Sequence, residues 1–277
     1  DQKKISPSFS ELLPEKHYAR KNLGYLEAIK SGTTRIIETD DDNIPMPAFW
    51  NFRELNGTYE EVSHKGWVNV YRYFSKENIW PRGLPLTNIQ DIVPEPKRTD
   101  KHSYNIQQGL ADGNPDVDAI YRLVLEQKDI RFDKKEIVLG KEAWCPFNSQ
   151  NTTWFKDAFP LLYLPSYCSF RMTDIWRSFI AQRIAWTCDW KILFHYPTVY
   201  QERNEHDLMK DFNDEISGYQ NNEIIRKRLE NVDFKNGIKN IPDNMLKAYK
   251  ELIYMNLVGK KEIGLVDKWL NEITKYI

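Results

Sequence analysis

Three consecutive aspartates, Asp40, Asp41 and Asp42, follow a short β-branched run, Thr33 to Ile37, with Glu38 and Thr39 between. Like charges crowded at the end of a buried strand are costly unless something positive sits among them. In extended backbone side chains alternate, which puts Asp40 and Asp42 on one side and Asp41 on the other. Two carboxylates on one side suit a hard divalent cation, Mn²⁺ or Mg²⁺. Such an ion takes one or two protein carboxylates and fills its remaining positions with phosphate oxygens and water. It would stabilise charge developing on a departing diphosphate. The competing reading is a solvated acidic turn.

Other residues have chemistry to offer. Arg20, Lys21 and Asn22 stand at a helix start, where basic and amide groups can meet phosphate or a base; an ordinary polar loop is the alternative. Arg82 lies between Trp80-Pro81 and Gly83-Leu84-Pro85, a stiff loop, and a guanidinium suits diphosphate bidentately. Asp174 follows Thr173 at another helix start and could serve as a general base or only favour that terminus electrostatically. Asp116 and Asp118 have the same helix-start alternative. His206 is a candidate third metal ligand, since imidazole accepts Mn²⁺, or a helix cap, with Gln201 competing for the metal position. Trp80 and Trp176 offer sugar-stacking faces, although Trp176 falls on an apolar helical stripe and reads as core.

The elements that must position these groups are partly legible. Leu23, Leu26 and Ile29 follow helical spacing up to a stop at Gly32. The succession of helix, strand and acidic cluster is what the carboxyl edge of an open α/β sheet presents to ligands. Residues 44–98 read as loop-rich. Asn114 as N-cap and Pro115 as first residue open a helix carrying Val117, Ile120, Leu123 and Val124. Ile137 to Leu139 is a strand. Thr173-Asp174 caps a helix with a stripe of Ile175, Trp176, Phe179, Ile180 and Ile184. Helical patterns recur at 206–232, 243–256 and 261–276, which divides the chain into an α/β catalytic domain, 1–203, and a helical appendage, 204–277. The first convincing strand is Arg35 to Thr39, and Asp1-Gln2-Lys3 reads as the exit of an earlier one. Upstream residues are therefore expected to complete the sheet and a uridine pocket.

Bulk properties exclude some classes. Lys and Arg total 39 against 40 Asp and Glu, and this balance without a basic run argues against nucleic acid as partner. Cys145, Cys168 and Cys188 form no CxxC pair and read as reduced thiols. The longest apolar run is broken by Pro160 and Pro165, too short to span a bilayer.

Several blocks together resemble the STELLO family of glycosyltransferase-like proteins. They are Tyr18-Ala-Arg-Lys-Asn-Leu-Gly-Tyr-Leu-x-Ala-Ile29, Ile37-Glu-Thr-Asp-Asp-Asp-Asn43, Trp80-Pro-Arg-Gly-Leu-Pro-Leu86 and Ile106-Gln-Gln-Gly-Leu110. Asn114-Pro-Asp-Val-Asp118, Pro146-Phe-Asn-Ser-Gln-Asn151, Asp174-Ile-Trp-Arg177 and Arg203-Asn204-x-His206 continue the series in order. A more distant similarity runs to the reversibly glycosylated polypeptides, the UDP-arabinopyranose mutases. Both resemblances imply a GT-A fold, a nucleotide-diphosphate sugar donor (UDP) and a divalent metal, with a carbohydrate or glycoconjugate acceptor. By position they imply Asp40 and Asp42 at metal and phosphates with Asp41 nearby. Arg20, Lys21 and Asn22 would lie on the nucleotide side, Asp116 and Asp118 in donor or acceptor contacts, and Asp174 would be the general base. Arg82 matches the arginine that the mutases glycosylate on themselves, but Leu84 stands where they place an aromatic, which counts against self-glycosylation here.

The expectation is a metal-dependent glycosyltransferase, with a mutase or a catalytically weak scaffold as alternatives. A homo-oligomer is compatible with it. The setting would be cytoplasmic in a microbe or virus and the Golgi lumen in a eukaryote.

Overall fold

The computed structural model describes residues 2–126, 128–202 and 207–277. Its spine is a mixed sheet whose strands lie in the order Arg35–Thr39, Asn151–Phe155, Ile106–Gly113, Ile192–Gln201, Glu136–Leu139, Glu60–Val62 and Lys97–Arg98. Asn43–Pro45 pairs with the far half of Ile192–Gln201. Asn151–Phe155 is antiparallel to both neighbours, so Arg35–Thr39 and Ile106–Gly113 run the same way. Ile192–Gln201 is parallel to Ile106–Gly113. Three segments therefore leave the sheet at one edge, after Thr39, Gly113 and Gln201. Helices flank this sheet and a helical region follows it, the expected GT-A-like architecture.

The helix read from Leu23 and Leu26 is Lys21–Lys30, and Gly32 stops it at φ +81°. The strand Arg35–Thr39 and the helices Thr173–Ala185, Leu208–Glu230, Ile241–Tyr254 and Glu262–Ile273 lie close to where the patterns put them. Other expectations are corrected. Residues 2–5 form a helical turn, Gln2–Ile5, rather than the exit of a strand. The helix expected at Asn114-Pro115 begins only at Ala119, capped by the Asp118 carboxylate on the Tyr121 N–H. Thr173 is the first residue of its helix rather than a cap.

The central strands Ile106–Gly113, Asn151–Phe155 and Ile192–Gln201 are absent from the sequence reading. The first carries two glutamines, two glycines and an aspartate, residues that favour strands poorly. The third holds Pro197, which donates nothing to a ladder. Its register against Ile106–Gly113 shifts between His195 and Val199, an irregularity that accommodates the missing N–H.

Nearly all of the hydrophobic core is continuous. One cluster runs from Phe9 and Leu26 through Trp144, Trp154 and Phe179 to Leu229, Met245 and Trp269. The C-terminal helices thus share the core of the sheet. Polar contacts reinforce that seam: Trp176 Nε1 donates to Asn222 Oδ1 at 2.9 Å, and Trp144 Nε1 to Glu230 at 2.9 Å.

Beneath the site, Glu38 and Arg177 form an ion pair with side chains 0% and 1% exposed. Arg177 reaches both carboxylate oxygens, at 2.7 and 2.9 Å, Trp154 Nε1 adds a third donor at 2.8 Å, and Tyr25 a fourth. This pair pins the strand that ends in the aspartate triplet to the helix that starts at Thr173. Removing one partner leaves a buried charge uncompensated, so Arg177→Met should destabilise the fold by about 3–5 kcal/mol. Urea denaturation should show a lower midpoint at unchanged slope; an unmoved midpoint would mean that Glu38 finds other compensation.

Candidate active site

At the carboxyl edge of the sheet lies a cavity of about 330 Å³, lined among others by Tyr18, Asp40, Asp41, Asp42, Arg82, Asp116, Asn148, Asp174 and Gln201. Sheets of this kind bind ligands at that edge. The cavity gathers the triplet, the Arg82 loop and the start of the helix Thr173–Ala185.

The triplet is a tight turn rather than extended chain. Asn43 N–H donates to the Asp40 carbonyl at 3.3 Å, and all three aspartates line the cavity, so the expected alternation does not hold. The buried Asn43 amide fixes the turn by donating to Thr39 Oγ1 at 3.1 Å and to the Gln150 carbonyl at 2.9 Å. Asp42 accepts from Gln201 Nε2 at 2.9 Å. Asp40 pairs with Lys21 Nζ at 3.1 Å, and that ammonium also donates to the carbonyls of Thr39 and Ser149. Even so, burial pushes the Asp40 carboxyl up to about 6; Lys21 opposes the shift, while Asp174 and Asp116 add to it. This end of the cavity is short of positive charge, and its donors are hard carboxylate oxygens. That donor chemistry fits a hard divalent cation. Among the described residues no group of three or more His, Cys, Asp or Glu is placed so that it could hold a metal ion by itself. Non-protein oxygens would have to complete the coordination. His206, the expected third ligand, lies outside the described residues; Asp207 caps the helix that follows.

At the other end sits Arg82, with side chain 7% exposed, between two carboxylates. Its Nε and Nη2 donate to Asp116 at 2.8 Å each. Its Nη2 and Nη1 donate to Asp174 at 2.9 and 3.1 Å, and Nη1 also to the Arg171 carbonyl. A guanidinium has five N–H donors, and all five are spent. The expected bidentate grip of Arg82 on a diphosphate is therefore corrected: Arg82 lines the cavity, but its hydrogen bonds belong to the protein. Burial works against its charge, yet the two carboxylates hold it protonated well above its ordinary range. Asp116 is likewise pressed upward by burial, but Arg82 and the Asn148 amide bring it below the usual carboxylate value. Gly83 allows this approach. It adopts φ +90°, and a Cβ there would stand 2.5 Å from Ile175 Cγ2.

Several expected residues are placed elsewhere. Arg20 binds Gln2 and the carbonyls of Ser10, Leu13 and Pro14, tying down the N-terminal segment. Asn22 is fully buried and exchanges two hydrogen bonds with the backbone of Leu164. Asp118 does not line the cavity; it caps a helix and accepts from Trp80 Nε1 at 2.7 Å. Trp80 and Trp176 are both buried, so neither presents a face to a sugar. Conversely, Tyr18, Asn148, Gln150, Phe170 and Arg171 line the cavity without having been singled out individually. The blocks Tyr18 to Ile29 and Pro146 to Asn151 carried the signal for Tyr18, Asn148 and Gln150; Phe170 and Arg171 had none.

A family model described as STELLO glycosyltransferases matches residues 171–276. Over 210 residues the sequence is 33% identical to "Probable glycosyltransferase STELLO2" of Arabidopsis thaliana and 31% identical to "Probable glycosyltransferase STELLO1" of the same plant. The chain is a STELLO relative. The alignments cover 68% of this chain but only 28% and 27% of those proteins, so it spans about a quarter of their length. No helix among the described residues of this STELLO relative is long and apolar enough to cross a membrane.

Asp118 gives a pH test of the helix-cap assignment. Burial raises its carboxyl to about 6, against opposing hydrogen bonds from Tyr121 and Trp80. A folded-state value above the unfolded one favours folding at low pH, and the benefit is lost as pH rises through about 6. Asparagine keeps a capping oxygen without the charge. The melting temperature of Asp118→Asn relative to wild type should therefore be higher at about pH 7.5 than at about pH 5. A difference independent of pH would mean that Asp118 titrates alike in both states.

Proposed function

We propose that this protein transfers a sugar from a nucleotide-diphosphate donor, with UDP as the nucleotide, to a hydroxyl of a carbohydrate or glycoconjugate, with Mn²⁺ or Mg²⁺ as cofactor. The observation that carries this reading is one cavity at the carboxyl edge of the sheet holding Asp40, Asp41, Asp42, Asp116 and Asp174 together. The names of the relatives, probable glycosyltransferases, agree with it. Asp40 and Asp42 would hold the cation and Asp41 would border it. Bound there, the ion would supply Lewis-acid neutralisation of the leaving diphosphate. Lys21 keeps Asp40 in place from the protein side. Asp116 and Asp174 form the carboxylate pair that faces the acceptor, and one of them takes its proton.

With few protein ligands, the cation should bind weakly alone and more tightly with nucleotide, whose oxygens complete its shell. In calorimetry, UDP should bind wild type appreciably only with Mn²⁺ present, and Asp42→Asn should lose most of that enhancement. Equal affinity with and without Mn²⁺ in both proteins would reduce the triplet to an acidic turn.

A mutase anchored on Arg82 is disfavoured by the five hydrogen bonds that occupy its guanidinium. Intact-mass measurement after incubation with UDP-glucose, UDP-galactose or UDP-xylose should show no added sugar on the wild-type protein. An adduct that disappears in Arg82→Lys would restore the mutase reading.

A further inference from the structure

The two carboxylates held by Arg82 are not equivalent. A carboxylate offers about four acceptor positions, two on each oxygen. On Asp174 all four are taken: Oδ1 accepts from Arg82 Nη1 at 3.1 Å and from the Ile175 N–H at 3.1 Å. Its Oδ2 accepts from Arg82 Nη2 at 2.9 Å and from the Ser149 N–H at 3.3 Å. On Asp116 the described residues take three: Oδ2 accepts from Arg82 Nη2 at 2.8 Å and Asn148 Nδ2 at 2.9 Å, while Oδ1 accepts among them from Arg82 Nε alone, at 2.8 Å. The Asp116 side chain is 13% exposed against 7% for Asp174, and both border the cavity. A proton acceptor must have a lone pair within hydrogen-bond reach of the hydroxyl it deprotonates. Asp116 has one; Asp174 would first have to break a bond to Arg82 or to backbone.

We infer that Oδ1 of Asp116 accepts the proton of the acceptor hydroxyl, and that Asp174 is a positioning residue that fixes Arg82 and, through it, Asp116. This inference rests on the transferase reading above and assigns a role within it. The acceptor O–H bond breaks with its proton passing to Asp116, and the oxygen bonds to the anomeric carbon. The bond from that carbon to the diphosphate oxygen breaks, its electron pair leaving with the diphosphate. Displacement in one step inverts the anomeric centre. The proton on Asp116 returns to solvent after product leaves. Asp118, two residues further on, takes no part, being held by Trp80 and the Tyr121 N–H.

Azide separates the two roles, because it attacks as an anion and brings no proton, whereas water needs a base. The full-length protein is incubated with Mn²⁺ and UDP-glucose, UDP-galactose or UDP-xylose, with and without azide. UDP release and glycosyl azide are measured for wild type, Asp116→Asn, the smaller Asp116→Ser and Asp174→Asn. Calorimetric Mn²⁺–UDP binding is followed in each. Both Asp116 variants should lose hydrolysis by about 10²–10⁴-fold while still forming glycosyl azide of inverted configuration. Asp174→Asn, acting through Arg82 and Asp116, should also lose hydrolysis while keeping glycosyl azide formation, but by a smaller factor than the Asp116 variants. The assignment is overturned if the Asp116 variants slow both nucleophiles equally with Mn²⁺–UDP binding intact, or if Asp174→Asn loses hydrolysis by more than they do. A wild-type protein that neither binds Mn²⁺–UDP nor releases UDP from any of the three sugars overturns the transferase reading, and this assignment with it.

Discussion

One buried guanidinium separates two carboxylates that would otherwise repel each other, and much of the site hangs from that contact. Arg82 has its full set of donors engaged by Asp116, Asp174 and the Arg171 carbonyl. Each partner is anchored in turn. Asp174 opens a helix pinned by Arg177 to Glu38, and Arg171 is paired with Glu215 of a C-terminal helix at 2.8 Å. The Asn222 amide donates to the Gly83 carbonyl at 2.7 Å, holding the Arg82 loop from behind. Such a set is stiff because the guanidinium at its centre has every donor engaged; a buried donor left unpaired there would be costly.

The cavity is accordingly divided. On the Arg82 side, every donor of the guanidinium is engaged and geometry is set before any ligand arrives. On the triplet side, Lys21 pairs with Asp40 and Gln201 donates to Asp42, and burial leaves the Asp40 carboxyl at about 6. Electrostatic groups act most strongly where they need not reorganise when charge develops.

Sequence reasoning found the triplet, Arg82, Asp116 and Asp174 because each sits at an end of something: a strand, a stiff loop, a helix. It placed the flanking helices for the same reason, since apolar residues at helical spacing declare a buried face. It missed the middle of the sheet. Ile106–Gly113 lies buried on both sides yet carries glutamine, glycine and aspartate, and its glutamines are held mostly by backbone groups, several of them distant in sequence. Thr152 and the Asn148 backbone hold Gln108, and Glu54 and Tyr104 hold Gln107. Nor could spacing reveal that the guanidinium of Arg82 is fully spoken for. That depends on Asp116 and Asp174, 34 and 92 residues away. Asn22 and Arg20 misled for the complementary reason: a polar group at a helix start serves a ligand or the chain itself equally well, and here both serve the chain.

The seam between sheet and C-terminal helices bears on how inherited variation in such a protein is to be understood. Glu215 accepts from Arg171 and from the Ala119 N–H, thereby touching both the turn before Asp174 and the helix behind Asp116. A lesion at Glu215 would therefore disturb the walls of the cavity as well as the seam. Alleles that map there and abolish product do not by themselves mark a recruitment region, and deletion series that trim the tail will confuse architecture with chemistry.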